Sequence, residues 1–187
     1  MLEIVPIWFI RYKFFNSLFL GISVGAIFTL YTPLNPSIYS IGGVVLAFGM
    51  LGVAKLYHKI LNAYWFFRIS LIVEVVLLLA ILYFLVYDYG YSSAFMMYVG
   101  YQITFVFGSY LIRAETLLLA SDTLLSRLDS AKQFGYLLGM SLAYGIYQIF
   151  DYLIISPHQQ VYYLHFLLLS IEIGVIWLIF RSFKKSN

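Results

Sequence analysis

Cysteine is absent from the 187-residue chain, which excludes a disulfide framework, a thiolate metal site and a cysteine nucleophile. Charge is nearly as scarce. Lysine and arginine number 11, aspartate and glutamate 8, and together they make up only 10% of residues. Hydrophobic types fill 63% of positions and the mean hydropathy is +0.93, well outside the range of soluble domains. These values describe an integral membrane protein. The length accommodates a single membrane domain spanning residues 1–187, with helices of about 20 residues joined by short loops, and leaves no room for a second domain. The opening MLEIVPIWFIRYK places an acid at Glu3 and its bases only after ten residues, the reverse of a secretory signal, so the first helix is expected to be retained.

Spanning-length apolar runs occur at 14–32, 38–56, 65–86, 94–112, 134–153 and 162–180, divided by turn residues or charges. The fold class expected is therefore all-α, a polytopic protein of six transmembrane helices. Basic residues are absent from alternate connections, TPLNPS (32–37), DYGYSS (88–93) and DYLIISPHQQ (151–160). Arg11 and Lys13, then Lys55, Lys59 and Arg68, then Arg113, Arg127 and Lys132, and finally Arg181, Lys184 and Lys185 occupy the others. By the positive-inside rule all of these face the cytoplasm, with both termini inside, a pattern that suits a multi-pass protein of a bacterial inner membrane.

Residues 113–132, RAETLLLASDTLLSRLDSAK, form a charged island between the fourth and fifth runs. Leu117, Leu118, Leu124, Leu125 and Leu128 recur there at near-helical spacing. The expectation is a solvated cytoplasmic loop carrying a short amphipathic helix in the interface. Within the spans, small residues mark faces where helices approach closely: Gly21 and Gly25 on the first, Gly42, Gly43, Gly49 and Gly52 on the second, Gly135 and Gly139 on the fifth. Gly42, Gly49, Gly135 and Gly139 are the expected helix-packing seam. Two acids, Glu74 and Glu172, lie deep in the third and sixth runs. A charge at the bilayer centre costs roughly 2.5 to 3.5 kcal/mol, so each must meet a partner, meet water or carry a proton. Their depths, about 15 and 18 Å from opposite helix starts, are nearly equal by helical rise, and they are the proton-coupling candidates.

The six-helix layout with both ends inside, the glycine-rich second and fifth helices and the stretches FFNSLFLGISVGAIFTLYTPLNPSIYSIGG and DSAKQFGYLLGM resemble one half of a major facilitator superfamily (MFS) transporter. The family's Gly-x-x-x-Asp-Arg-x-Gly-Arg signature corresponds to GVAKLYHK, where Gly52 matches but Leu56 and Tyr57 replace the Asp and Arg. The resemblance implies two inverted three-helix repeats and a cavity lined by the first and fourth helices. Asn16, Ser23, Thr29 and Tyr31, with Tyr98, Gln102, Thr104 and Ser109, then become substrate-cavity candidates for a neutral or amphipathic solute.

Enzyme chemistry is not expected. Ser109 and His165, the one plausible nucleophile and base, lie at depths that differ by more than a hydrogen bond can span. No second ligand accompanies His58 or His165, so neither a metal nor another cofactor is expected. Two functions fit: a half-size transporter working as a dimer, and a non-transporting accessory or scaffold subunit of a larger inner-membrane complex. The expected partners are the lipid bilayer and either a second copy or another membrane-protein subunit, not nucleic acid. The topology is directly testable because the chain has no native thiol. Single cysteines replacing Asn35, Ser92 or Gln159 should react with an impermeant maleimide added outside intact cells, while those replacing Lys59, Arg127 or Lys184 should react only after lysis.

Overall fold

A computed structural model describes residues 2–87 and 89–185; Asp88, which opens the second base-free loop, lies outside them. The elements are β1 (Leu2–Ile4), α1 (Pro6–Leu30), α2 (Pro36–Lys55), the single turn α3 (Tyr57–Ile60), α4 (Ala63–Val86), α5 (Tyr91–Val106), α6 (Gly108–Leu119), α7 (Asp122–Tyr152), α8 (Pro157–Ser182) and β2 (Phe183–Lys185). Proline opens α1, α2 and α8, where its missing N–H costs nothing because the first turn has no acceptor for it. Asn62 caps α4 by accepting from the Trp65 amide at 3.1 Å. The α5 helix stops at Phe107 and α6 resumes at Gly108, so the fourth apolar run is one bent rod covering Tyr91–Leu119.

Five segments are long and apolar enough to cross a membrane: α1, α2, α4, the α5–α6 rod and α8. The fifth expected run, 134–153, belongs to α7, which has 31 residues but falls short of the others in apolarity. Its first three turns carry Asp122, Arg127, Asp129 and Lys132, and its remainder mixes glycine, tyrosine, serine and glutamine among the leucines. The charged island is not a loop. Only Ala120, held at φ 42°, and Ser121 interrupt the helix between α6 and α7, and Ser121 caps α7 through the Leu124 amide. The first helix likewise starts at Pro6 rather than 14, which brings Arg11 and Lys13 inside it.

Packing runs in an arc, α7–α1–α8–α4–α5–α2. Aliphatic and aromatic side chains of α1, α4, α5 and α8 fill one part of the interior, around Phe19, Ile22, Ile81, Met97 and Leu164. A second cluster fills the end nearer the termini, where Phe9, Phe66 and Phe183 meet ring to ring at 5.7 to 6.2 Å. Beside it β1 and β2 pair antiparallel, with Leu2 opposite Lys185 and Ile4 opposite Phe183, and the Val5 amide donates to the Ser182 carbonyl at 2.8 Å. The start of α1 and the end of α8 therefore lie on one face. Nothing in the sequence pattern announced these two three-residue strands.

The closest helix contact is α1 with α7. A Cβ on Gly139 would stand 2.4 Å from the Leu18 carbonyl oxygen and 3.0 Å from the Gly21 Cα, and one on Gly135 would stand 2.4 Å from the Phe14 carbonyl oxygen. Gly42 and Gly49 face Tyr98 and Val106 of α5. All four seam glycines are thus engaged within the chain, and a second copy could reach these faces only by displacing α1 or α5. Gly43 and Gly52, by contrast, have nothing within 4 Å, and no residue of α2 is buried. Gly139→Ala should lower the thermal midpoint in detergent markedly, by an overpacking cost of about 1–3 kcal/mol, because rigid backbone blocks the new methyl group. Gly43→Ala, the same change on an open helix face, should leave the midpoint unchanged or raise it.

Candidate functional site: a buried carboxyl pair and an ion cluster

The interior holds two connected groups of polar side chains, and α1 supplies the centre of both. Tyr12 and Asn16, four residues apart, share one face of α1. The Tyr12 hydroxyl donates to Glu74 Oε1 at 2.9 Å, and Asn16 Nδ2 donates to the same oxygen at 2.8 Å. Glu74 of α4 is 1% exposed and Glu172 of α8 is fully buried. Their carboxyl groups lie close enough to interact directly. They do not reach hydrogen-bond geometry, and Glu74 Oε2 and both Glu172 oxygens have no hydrogen-bond partner among the described residues. By helical rise, Glu74 lies about 16 Å from the start of α4 and Glu172 about 15 Å from the end of α8. Those ends lie on the same face as the strand pair, so the two acids share a level near the middle of the bundle.

Turned about 100° from Tyr12 on the same helix, Lys13 enters the second group. Its Nζ pairs with Glu115 Oε1 of α6, and Lys132 Nζ of α7 meets Glu115 Oε2 at 2.5 Å. Lys13 and Glu115 are 6% and 3% exposed, while Lys132 is partly exposed and also reaches Asp129 at 3.4 Å. Lys13 follows Tyr12 directly on α1, so polar groups continue from the charged island through α1 to the carboxyl pair. The island's amphipathic pattern is real, but Glu115 points inward to Lys13, and Lys132 turns to Glu115 beside it.

The expected cavity residues do not gather. Asn16 is committed to Glu74. Ser23 and Thr104 donate to carbonyls of their own helices, Leu20 at 2.9 Å and Tyr101 at 2.8 Å, and the Thr29 carbonyl accepts from the Tyr89 hydroxyl at 2.6 Å. Tyr31 and Tyr98 stack edge to face at 5.5 Å. Tyr98 and Gln102 open onto a largely apolar cleft of about 340 Å³ between α2 and α5, where Gln102 Oε1 has no hydrogen-bond partner among the described residues, while Tyr31 lines a different groove with Phe28 and Tyr39. Ser109 lies in a separate groove with Tyr57, Arg113 and Thr116. His165 is buried, its Nδ1 2.7 Å from the Val161 carbonyl and its ring 4.3 Å from Phe84.

Sequence reasoning found the two glutamates but missed Tyr12, Lys13, Glu115 and Lys132. Lysines flanking an apolar run read as interface anchors, and only the early start of α1 and the continuity of α6 with α7 turn them inward. Comparison with protein-family models, curated proteins and solved structures returns no match, so the roles of these residues rest on their geometry.

The ion cluster makes an asymmetric prediction. Removing Glu115 strands Lys13 in the interior, and breaking a buried pair in this way costs about 3–5 kcal/mol. Lys132 has access to solvent, so its loss costs less. Glu115→Ala should therefore unfold in detergent at a much lower temperature than Lys132→Ala, and Lys13→Met combined with Glu115→Leu should recover part of the loss. Equal midpoints for Glu115→Ala and Lys132→Ala would contradict this ranking.

Proposed function

We propose that the chain is a proton-coupled membrane transporter unit of half-MFS build, crossing a bacterial inner membrane six times and acting as a dimer. The observation that carries this reading is the burial of two glutamates, Glu74 of α4 and Glu172 of α8, at one level of the bundle where those helices pack together. Exchanging α1 with the α5–α6 rod, α2 with α7 and α4 with α8 maps the packing arc onto itself. The α1–α7 contact becomes α5–α2, α1–α8 becomes α5–α4, and α4–α8 becomes itself. Two inverted three-helix repeats would produce this correspondence, and the acids then lie on their shared axis. The glycine contacts obey it too, since Gly135 and Gly139 on α7 receive α1 as Gly42 and Gly49 on α2 receive α5.

Parity supports the sixth crossing. The strand pair puts the start of α1 and the end of α8 on one face, which an even number of crossings requires. Residues 134–152 of α7 are about 28 Å long by helical rise, close to the thickness of a bilayer core. In mechanism, a proton placed on Glu74 Oε1 removes an acceptor used by both Tyr12 and Asn16. Proton occupancy is thereby linked to the seating of α1, which also touches α7 and α8. Solute would bind between two units rather than within one, because the groups expected to line a cavity inside the chain are occupied.

A specific observation also favours the accessory-subunit reading. The bundle is closed and the α2 face around Gly43 and Gly52 is bare, as expected where a different protein covers it. Two measurements separate these readings. Infrared difference spectra of reconstituted protein between acidic and alkaline pH should contain a carboxyl band that disappears in Glu74→Gln/Glu172→Gln, a variant expected to fold because a neutral amide is cheaper than a carboxylate at that depth. Single-molecule stoichiometry in bilayers should give two copies. Loss of neither band nor pH response in the double variant removes the pair from the mechanism, and a strict monomer or an unrelated obligate partner favours the accessory subunit.

A further inference from the structure

A groove on the outer face of the bundle lies between α1 and α8, away from the carboxyl pair. Its volume is about 660 Å³, and Trp8, Arg11, Phe15, Ser170, Gly174 and Trp177 are among its lining residues. At its mouth the Trp8 and Trp177 rings meet edge to face at 5.8 Å. The Arg11 guanidinium lies 4.8 Å from the Trp8 ring, and that of Arg181 lies 5.6 Å from Trp8 and 5.3 Å from Trp177. Neither arginine has a carboxylate within ion-pair distance among the described residues, in contrast to Lys13 and Lys132. Below the mouth the groove is apolar. At Gly174 a Cβ would meet nothing within 4 Å, so packing inside the chain does not demand glycine there, and its absence of a side chain leaves the groove floor clear.

The dimensions match one leaflet. Arg181 and Ser170 are eleven residues apart on α8, about 16 Å by helical rise, and half of a bilayer core is about 15 Å. The charged mouth lies beside the strand pair, on the face to which the positive-inside rule sends the bases. Tryptophan rings favour the headgroup level, and arginine forks match phosphate oxygens better than lysine does.

We infer that this groove binds one anionic phospholipid of the cytoplasmic leaflet, its phosphate held between Arg11 and Arg181 and an acyl chain lying along Phe15, Ile171 and Gly174. The site rests on the membrane reading of the chain, and on its orientation for the choice of leaflet, but not on transport. It is tested on full-length protein, delipidated in detergent and titrated with dioleoyl phosphatidylglycerol or dioleoyl phosphatidylcholine under native mass spectrometry. Wild type should retain phosphatidylglycerol at least about tenfold better, because both lipids offer the phosphate but the choline ammonium of phosphatidylcholine is repelled by the two arginines. Arg11→Gln/Arg181→Gln should abolish the preference. Gly174→Leu should weaken retention of both lipids by filling the groove, and Arg127→Gln, on an exposed side chain elsewhere, should change nothing. Absence of a preference in wild type, or its persistence in the double arginine variant with an unchanged melting temperature, overturns the site. Failure of wild type to partition into membranes would overturn the membrane reading as well, which tells the two failures apart.

Discussion

A polar group that enters a helix bundle surrounded by lipid must find its partners inside the bundle, because no water is available on the outside. The position of α1 follows from this constraint. Tyr12 and Asn16 reach Glu74 on one side, Lys13 reaches Glu115 on another, and the glycine contact with α7 closes a third. Lipid tails are as apolar as leucine, so hydrophobicity alone would not hold α1 at this place. Close backbone approach and directed polar contacts do so, and they specify rotation and depth as well as proximity.

The two polar groups differ in kind. In the ion cluster Lys13 and Lys132 share Glu115, and Asp129 completes the balance of charge beside Lys132; three elements hold it, which makes it a fixed joint between the charged island and the body of the bundle. The carboxyl pair is the opposite: three oxygens of Glu74 and Glu172 have no hydrogen-bond partner, although both side chains are buried. Buried polar atoms in this state are rare in folded proteins and call for an explanation. A site whose hydrogen bonding changes with proton occupancy supplies one, and its location where α4 meets α8 puts that change at the contact between the two halves of the arc.

Much of this fold was legible in the sequence because hydropathy and charge report directly on the membrane. The apolar runs at 65–86 and 162–180, which carry Glu74 and Glu172, are helices α4 and α8, and the strand pair puts the start of α1 and the end of α8 on one face. The failures have physical causes. Helix continuity through residues 113–132 was hidden because charges normally mark solvated loops, whereas here Glu115 neutralises an inward lysine from a helix a hundred residues away and Lys132 shares that carboxylate. The fifth run, 134–153, is less apolar than the other five because tyrosines, glycines and Gln148 stand among its leucines. Cavity candidates were chosen by residue type alone, and serine and threonine in helices readily spend their hydroxyls on the preceding turn, as Ser23 and Thr104 do. The β1–β2 pair has no periodicity to detect at three residues per strand.

The Lys13–Glu115 contact also has a consequence for biosynthesis. As the chain emerges from the ribosome, α1 is made first and its lysine has no anion to meet until the α6 segment has been synthesised, about five helices later in the order of elements. During that interval the ammonium group must stay hydrated at the membrane boundary, with its flexible stem extended toward water. A shallower or tilted first helix would meet that requirement until Glu115 is made, and α7 would then close over it by laying Gly139 against Gly21.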